Sequence, residues 1–208
     1  MREPDNIRDV ATTGVTWMGM IFWPKSSRFV SDLSAADAIP EGITRVGVFV
    51  NQPNVEIVHI AHQCRLDIIQ LHGSESPSDI QSLRTMLPEG LKVMKAISVS
   101  DATDVAKADC YADVADLLLF DTKCTTVGGS GKQFDWSVLM GYSGSLPFLL
   151  SGGIGPDDSE RLASFHHPMM AGIDLNSRFE LSPALKDATA LACFINKIPT
   201  SKKLKSHE

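Results

Sequence analysis

Short, continuous apolar runs alternate along this chain with longer segments whose apolar residues recur at helical spacing. The runs fall at residues 15–22, 45–50, 67–71, 92–97, 117–121, 147–151 and 172–175. They are unbroken rather than alternating, as strands buried on both faces are. Helical segments open on start signals between them. Pro53-Asn54 opens the segment to Cys64, and Ser76-Pro77-Ser78-Asp79 the one to Met86. Ser100-Asp101 precedes residues 102–111, and Pro156-Asp157-Asp158 leads into the helix through Leu162. Pro183 reads as the start of the last helix, which runs to about Lys197.

Strict alternation of buried strands and helices means a parallel sheet, doubly wound or closed into a barrel. The pattern gives seven strands and eight helices, and residues 2–13 (REPDNIRDVATT) read as a helix that should follow a strand. One implied strand added to seven favours the eight-fold form. The expected fold is therefore an α/β, (βα)8 TIM barrel with strand 1 missing from this chain. No linker or repeat divides it, so residues 1–198 form one expected domain and 199–208 a disordered basic tail.

Composition narrows the functional classes. With 208 residues and 43% hydrophobic content the chain has enough apolar material for a core. Its longest apolar stretch, residues 15–23, is too short to span a bilayer, and its charged N-terminus is not a secretory signal, which implies the cytoplasm. A net charge of -6 with no basic stripe argues against nucleic acid. The four cysteines, at 64, 110, 124 and 193, have no C-x-x-C pairing and read as reduced thiols. His59 and His62 lie three apart on a helix with no third ligand in view, His166-His167 reads as loop, and no metal site is expected.

In a barrel, functional groups gather where strands end. Those positions hold Arg28, Gln70, His72, Asp121, Gly152, Gly153, Asp174, Asn176 and Ser177. Gly152-Gly153 lets backbone N–H groups approach a phosphate, and loops after the last two strands commonly hold one; a plain tight turn is the competing reading. Asp121 ends an apolar run, where partial desolvation suits a carboxyl to general-acid work; a helix cap or ion pair accounts for it equally. Arg28 has the fork for a substrate carboxylate, and a surface arginine looks the same in sequence. The run Gly128-Gly129-Ser130-Gly131-Lys132 lacks the glycine and the Ser or Thr of a P-loop, and suits a loop closing over the barrel mouth. Cys124 has no neighbour that would activate it.

Taken together, segments 2–11, 19–30, 68–75, 118–136, 148–158 and 172–187 resemble the phosphoribosylanthranilate isomerases, barrel enzymes of tryptophan biosynthesis. The resemblance implies a cofactor-free Amadori rearrangement of N-(5-phosphoribosyl)anthranilate to the 1-deoxyribulose 5-phosphate derivative. It implies Asp121 as general acid, Arg28 facing the anthranilate carboxylate, and Gly152, Gly153, Asn176 and Ser177 holding phosphate. Gln70, His72 and Asp174 would line the site, in a monomer or homodimer. The family's base is a cysteine ending strand 1, just ahead of the stretch matching residues 1–5. On this reading Met1 is an internal methionine, and poor folding and activity lowered at least about a hundredfold are expected of the chain as given. Two alternatives stand beside it: another sugar-phosphate barrel isomerase or epimerase, and a non-catalytic remnant that binds phosphorylated ligands.

Overall fold

The computed structural model describes residues 1–122 and 134–198. The chain enters on α1 (Pro4–Ala11) and continues through β1 (Trp17–Ile21), β2 (Thr44–Phe49), α2 (Asn54–Gln63), β3 (Ile68–Leu71) and α3 (Pro77–Arg84). There follow β4 (Lys92–Val99), α4 (Ala102–Ala106), β5 (Leu117–Thr122), β6 (Phe148–Leu150), α5 (Ser159–Ser164) and β7 (Met170–Ile173). A hairpin, β8 (Glu180–Ser182) with β9 (Leu185–Lys186), precedes α6 (Ala188–Lys197).

Strands β1 to β7 form one parallel sheet in chain order, each paired with the next. The sheet is strongly curved. Val46, Ile68, Met94, Ala96, Leu117, Leu119 and Leu149 form one buried cluster, and Trp17 of β1 and Ala171 of β7 pack against it. Side chains from all seven strands therefore meet on the concave face. Alternate residues such as Ile69, Val93, Leu118 and Phe148 face a larger outer cluster under the helices. Burial on both faces explains why the strands read as unbroken apolar runs. β1 and β7 are the sheet edges, with no strand on their outer sides among the described residues. The eighth strand of the expected barrel is thus not among them, and the fold described is a seven-stranded half-barrel.

The helical layer, unlike the seven strands, departs from expectation. The helices after β1 and β5 are only 3-10 segments, Leu33–Ala38 and Trp136–Gly141. The first stops just short of Pro40, and the second ends at Gly141, a residue with high backbone entropy. Pro183 does not start a helix: it sits in the hairpin turn beside Ala184 at φ 70. α6 begins only at Ala188, where the Asp187 carboxylate accepts from Ala190 N at 2.9 Å. The tail from residue 199 and the glycine-rich run at 128–132 lie outside the described residues.

α1 ties the ends of the chain together. Its Ile7 and Val10, three apart, are buried, each contributing about 1.5–3 kcal/mol of hydrophobic stabilisation. Asn6 Nδ2 donates to Lys186 O and Asn6 Oδ1 accepts from Lys186 N, both at 2.8 Å. That two-way amide pair fixes the β8–β9 hairpin against α1.

Candidate active site

A pocket of about 290 Å³ opens at the carboxyl ends of the strands. It descends past Met94, Leu119 and Leu149 on the concave face, and passes between β1 and β7 to Val10 and Ile195. All nine residues singled out from the strand ends line it: Arg28, Gln70, His72, Asp121, Gly152, Gly153, Asp174, Asn176 and Ser177.

Asp121 stands near the end of β5, one residue before Thr122, whose N–H donates to its Oδ1 at 2.8 Å. Its Oδ2 faces His72 Nε2 at 3.3 Å. His72 Nδ1 lies 2.9 Å from Gln70 Nε2, an amide nitrogen that can only donate. Assigned from that contact, the His72 proton sits on Nε2, toward Asp121. Gln70, His72 and Asp121 thus form a chain across the ends of β3 and β5.

The Gly152-Gly153 turn is sterically required as well as exposed to the pocket. Both residues have positive φ, 93 and 68. A Cβ on Gly152 would stand 2.2 Å from Thr122 Oγ1 and 2.6 Å from Thr122 N. Close packing against β5 therefore demands glycine here, whatever the turn binds. The Asp158 carboxylate caps Gly155 N at 2.7 Å, so the short helix beyond already holds an anion at its start.

Asp174 follows β7 and accepts from Ser151 Oγ at 2.9 Å. Burial pushes its pKa above the usual carboxylate value, against the pull of Ser151 and of Lys186. The residue is half-buried and lines the pocket.

Arg28 lines the pocket, yet its fork is engaged. Nε lies 3.0 Å from each oxygen of Glu180, and Nη2 lies 2.6 Å from Oε2. Lys186 Nζ donates to Asn176 Oδ1 at 2.6 Å and to Glu180 Oε1 at 3.2 Å. Burial lowers the Lys186 pKa, while Glu180 and Asp174 oppose that fall. Burial also pushes Glu180 upward, but Arg28 and Lys186 outweigh it and hold the carboxyl below its usual range. Glu180 and Lys186 are pocket residues that strand-end reasoning missed, because both stand on the hairpin beyond the last strand of the sheet.

Other candidates fall elsewhere. His59 and His62 are exposed on α2, and His167 packs against Tyr142 and Phe148. Among the described residues no group of three or more His, Cys, Asp or Glu is arranged to hold a metal ion. Cys64 is buried, with its thiol pKa raised by that burial, and Cys110 and Cys193 are exposed. None of the three lines the pocket. Cys124 lies outside the described residues. No described helix is long and apolar enough to cross a membrane.

A curved parallel sheet with acid–base side chains and glycine turns at its strand ends defines an α/β half-barrel protein with a pocket at the carboxyl ends of its strands. The model of the N-(5'-phosphoribosyl)anthranilate isomerase family matches residues 1–197. The isomerase of Phocaeicola vulgatus is 46% identical over 198 residues, covering 95% of this chain and 94% of that protein. The one from Parabacteroides distasonis is 46% identical over 202 residues, covering 95% and 90%. The crystal structure of phosphoribosyl anthranilate isomerase from Thermotoga maritima superposes with a TM-score of 0.82 at 30% identity, over 95% of this chain and 94% of that one. A complex of the isomerase with reduced 1-(o-carboxyphenylamino)-1-deoxyribulose 5-phosphate gives a TM-score of 0.79 at 27% identity, over 95% and 94%. This chain belongs to the N-(5'-phosphoribosyl)anthranilate isomerase family.

Proposed function

We propose that this protein isomerises N-(5-phosphoribosyl)anthranilate to 1-(2-carboxyphenylamino)-1-deoxyribulose 5-phosphate, a step of tryptophan biosynthesis carried out in the cytoplasm by a monomer or homodimer. The observation that carries the reading is the placement of Asp121, facing His72, in the same pocket as the Gly152-Gly153 turn, on a chain of this family.

Phosphate is held by the backbone at Gly152-Gly153 and at Asn176-Ser177, where loop amides favour an anion. Arg28 receives the aryl carboxylate with the part of its guanidinium that Glu180 leaves open. Asp121 donates its proton to the furanose ring oxygen. The bond from that oxygen to the anomeric carbon breaks as the anilino nitrogen's lone pair forms a C=N bond. Loss of the proton on the second sugar carbon to a base gives an enolamine, and its tautomerisation gives the ketone. Gln70 and His72 orient Asp121, and Asp174 lines the opposite wall. The base is not Cys64, Cys110 or Cys193, all of which stand outside the pocket. No metal or organic cofactor enters these steps, since the substrate's own nitrogen takes up the electron demand.

Turnover is read by loss of the substrate's anthranilate fluorescence. Asp121→Asn is expected to lower kcat by about a hundredfold to ten-thousandfold, as removal of a general acid does. A variant as fast as its parent overturns the role of Asp121. A parent that leaves the substrate unchanged overturns the reaction.

A further inference from the structure

Glu180 is the most heavily engaged carboxylate in the pocket. Its side chain is 4% exposed, and it accepts from Arg28 Nε and Nη2, from Lys186 Nζ and from Ala184 N. The two Arg28 nitrogens make a fork, which fixes the plane of the guanidinium as well as its distance. Arg28 Nη1 has no hydrogen-bond partner among the described residues, and Arg28 lines the pocket. Behind Glu180, Lys186 is held twice: by its backbone through Asn6, and by its ammonium through Asn176. A flexible cation of the loop after β1 is thereby anchored through the hairpin to α1, and the same lysine reaches the loop after β7.

We infer that Glu180 and Lys186 are positioning residues. Glu180 orients Arg28 so that its open edge meets the substrate's aryl carboxylate, and Lys186 sets the Asn176 loop where the phosphate binds. The inference rests on the proposed reaction. Its physical basis is preorganisation: a long arginine side chain has many rotamers to lose, and a fork already locked in place does not lose them again on binding. Neither residue touches the reacting atoms, so their loss acts on ligand affinity rather than on the proton-transfer step.

Two ligands separate the possibilities. One is the reduced 1-(o-carboxyphenylamino)-1-deoxyribulose 5-phosphate, and the other is its phenylamino counterpart without the carboxylate. Affinities are measured by direct titration, so the result does not depend on turnover. Glu180→Gln is expected to weaken the carboxylated ligand about tenfold, the scale of one well-placed charged hydrogen bond, and to leave the other unchanged. Lys186→Met is expected to weaken both ligands to a similar degree, because the phosphate is common to them. Arg28→Lys keeps the charge but cannot form the fork, and should reproduce the Glu180→Gln pattern even if that variant folds poorly. Equal weakening of both ligands by Glu180→Gln would make Glu180 merely structural and overturn the inference. Tighter binding would make it a competitor for Arg28 and overturn it too, as would Arg28→Lys binding like the parent. A parent that binds neither ligand overturns the proposed reaction itself.

Discussion

Lys95 on β4 lies on the convex side of the sheet, since its neighbour Met94 belongs to the concave cluster. Its side chain is 3% exposed and that of Glu75 is 9% exposed, with 2.9 Å between Nζ and Oε2. The ammonium also donates to Leu71 O at 3.2 Å and to Gly73 O at 2.7 Å, so all three of its protons are used. Glu75 in turn accepts from Asn51 N at 2.8 Å and from Gly73 N at 3.0 Å. The pair therefore braces the loop that carries His72. Lys95→Met strands the Glu75 carboxylate without a countercharge, at a cost of about 3–5 kcal/mol for a buried pair broken on one side. For a chain of this size 1 kcal/mol moves Tm by roughly 2–4 °C, so the expected fall is roughly 6–20 °C. Thermal unfolding followed by circular dichroism reads it directly. Adding Glu75→Gln removes the stranded charge and should recover part of the loss. A fall no larger than about 1 kcal/mol, the scale of an exposed pair, would refute the argument from burial. A loss that Glu75→Gln does not relieve would refute the argument from the stranded charge.

The other two expectations concern glycine and acid. Gly152→Ala must hold alanine at φ 93 with its Cβ against Thr122, so it should cost about 1–2 kcal/mol in strain plus displacement of the β5 end beside Asp121. Lower Tm together with lower kcat is the expected result, and a parent-like melting curve would contradict it. Asp174 has a folded-state pKa raised by burial, so the folded state binds its proton more tightly than the unfolded state does. Its ionisation therefore subtracts stability above the unfolded pKa, about 3.9, and that penalty fades as pH falls below it. Asp174→Asn should be more stable than the parent at neutral pH, with the gap closing toward pH 4 in denaturant titrations. A gap that grows in acid would show that Ser151 and Lys186 outweigh burial.

The buried strands were legible for one physical reason. A strand buried on both faces carries no polar alternation, and β3 and β6, buried at every position, meet that condition in full; β1, whose burial alternates, was legible from its run of Trp, Met and Ile instead. The helices obeyed weaker rules. Residues 33–38 and 136–141 carry helical composition but pack as 3-10 turns, each opened by an aspartate whose carboxylate accepts from the second residue on. Pro183 looked like a helix start because proline favours the first turn, yet proline serves a hairpin turn equally well. In the site, Asp121 and Gly152 announced themselves by ending apolar runs. Glu180 and Lys186 could not, because their meaning lies in a contact with Arg28 and Asn6 that spans 152 and 180 positions along the chain. Only packing reveals such pairs.

The pocket divides its labour by strand. Gln70, His72 and Asp121, the contact chain to which the proposed reaction assigns the proton transfer, come from β3 and β5 near the middle of the sheet. There both neighbouring strands fix the backbone, and the Lys95–Glu75 pair stiffens the loop between them. The cations come from the two edges: Arg28 follows β1, and Lys186 sits on the hairpin that follows β7. An edge strand has a neighbour on one side only, so its loops need another source of order. Glu180 and the Asn6 amide pair supply it, by tying the loop after β1, the hairpin and α1 to one another across the open side of the sheet. A chain with net charge -6 thereby keeps two cations at one flank of its pocket. Electrostatic preorganisation at a sheet edge has to be built from side-chain contacts, and this is where substitutions should alter ligand choice without touching the proton transfer proposed for Asp121.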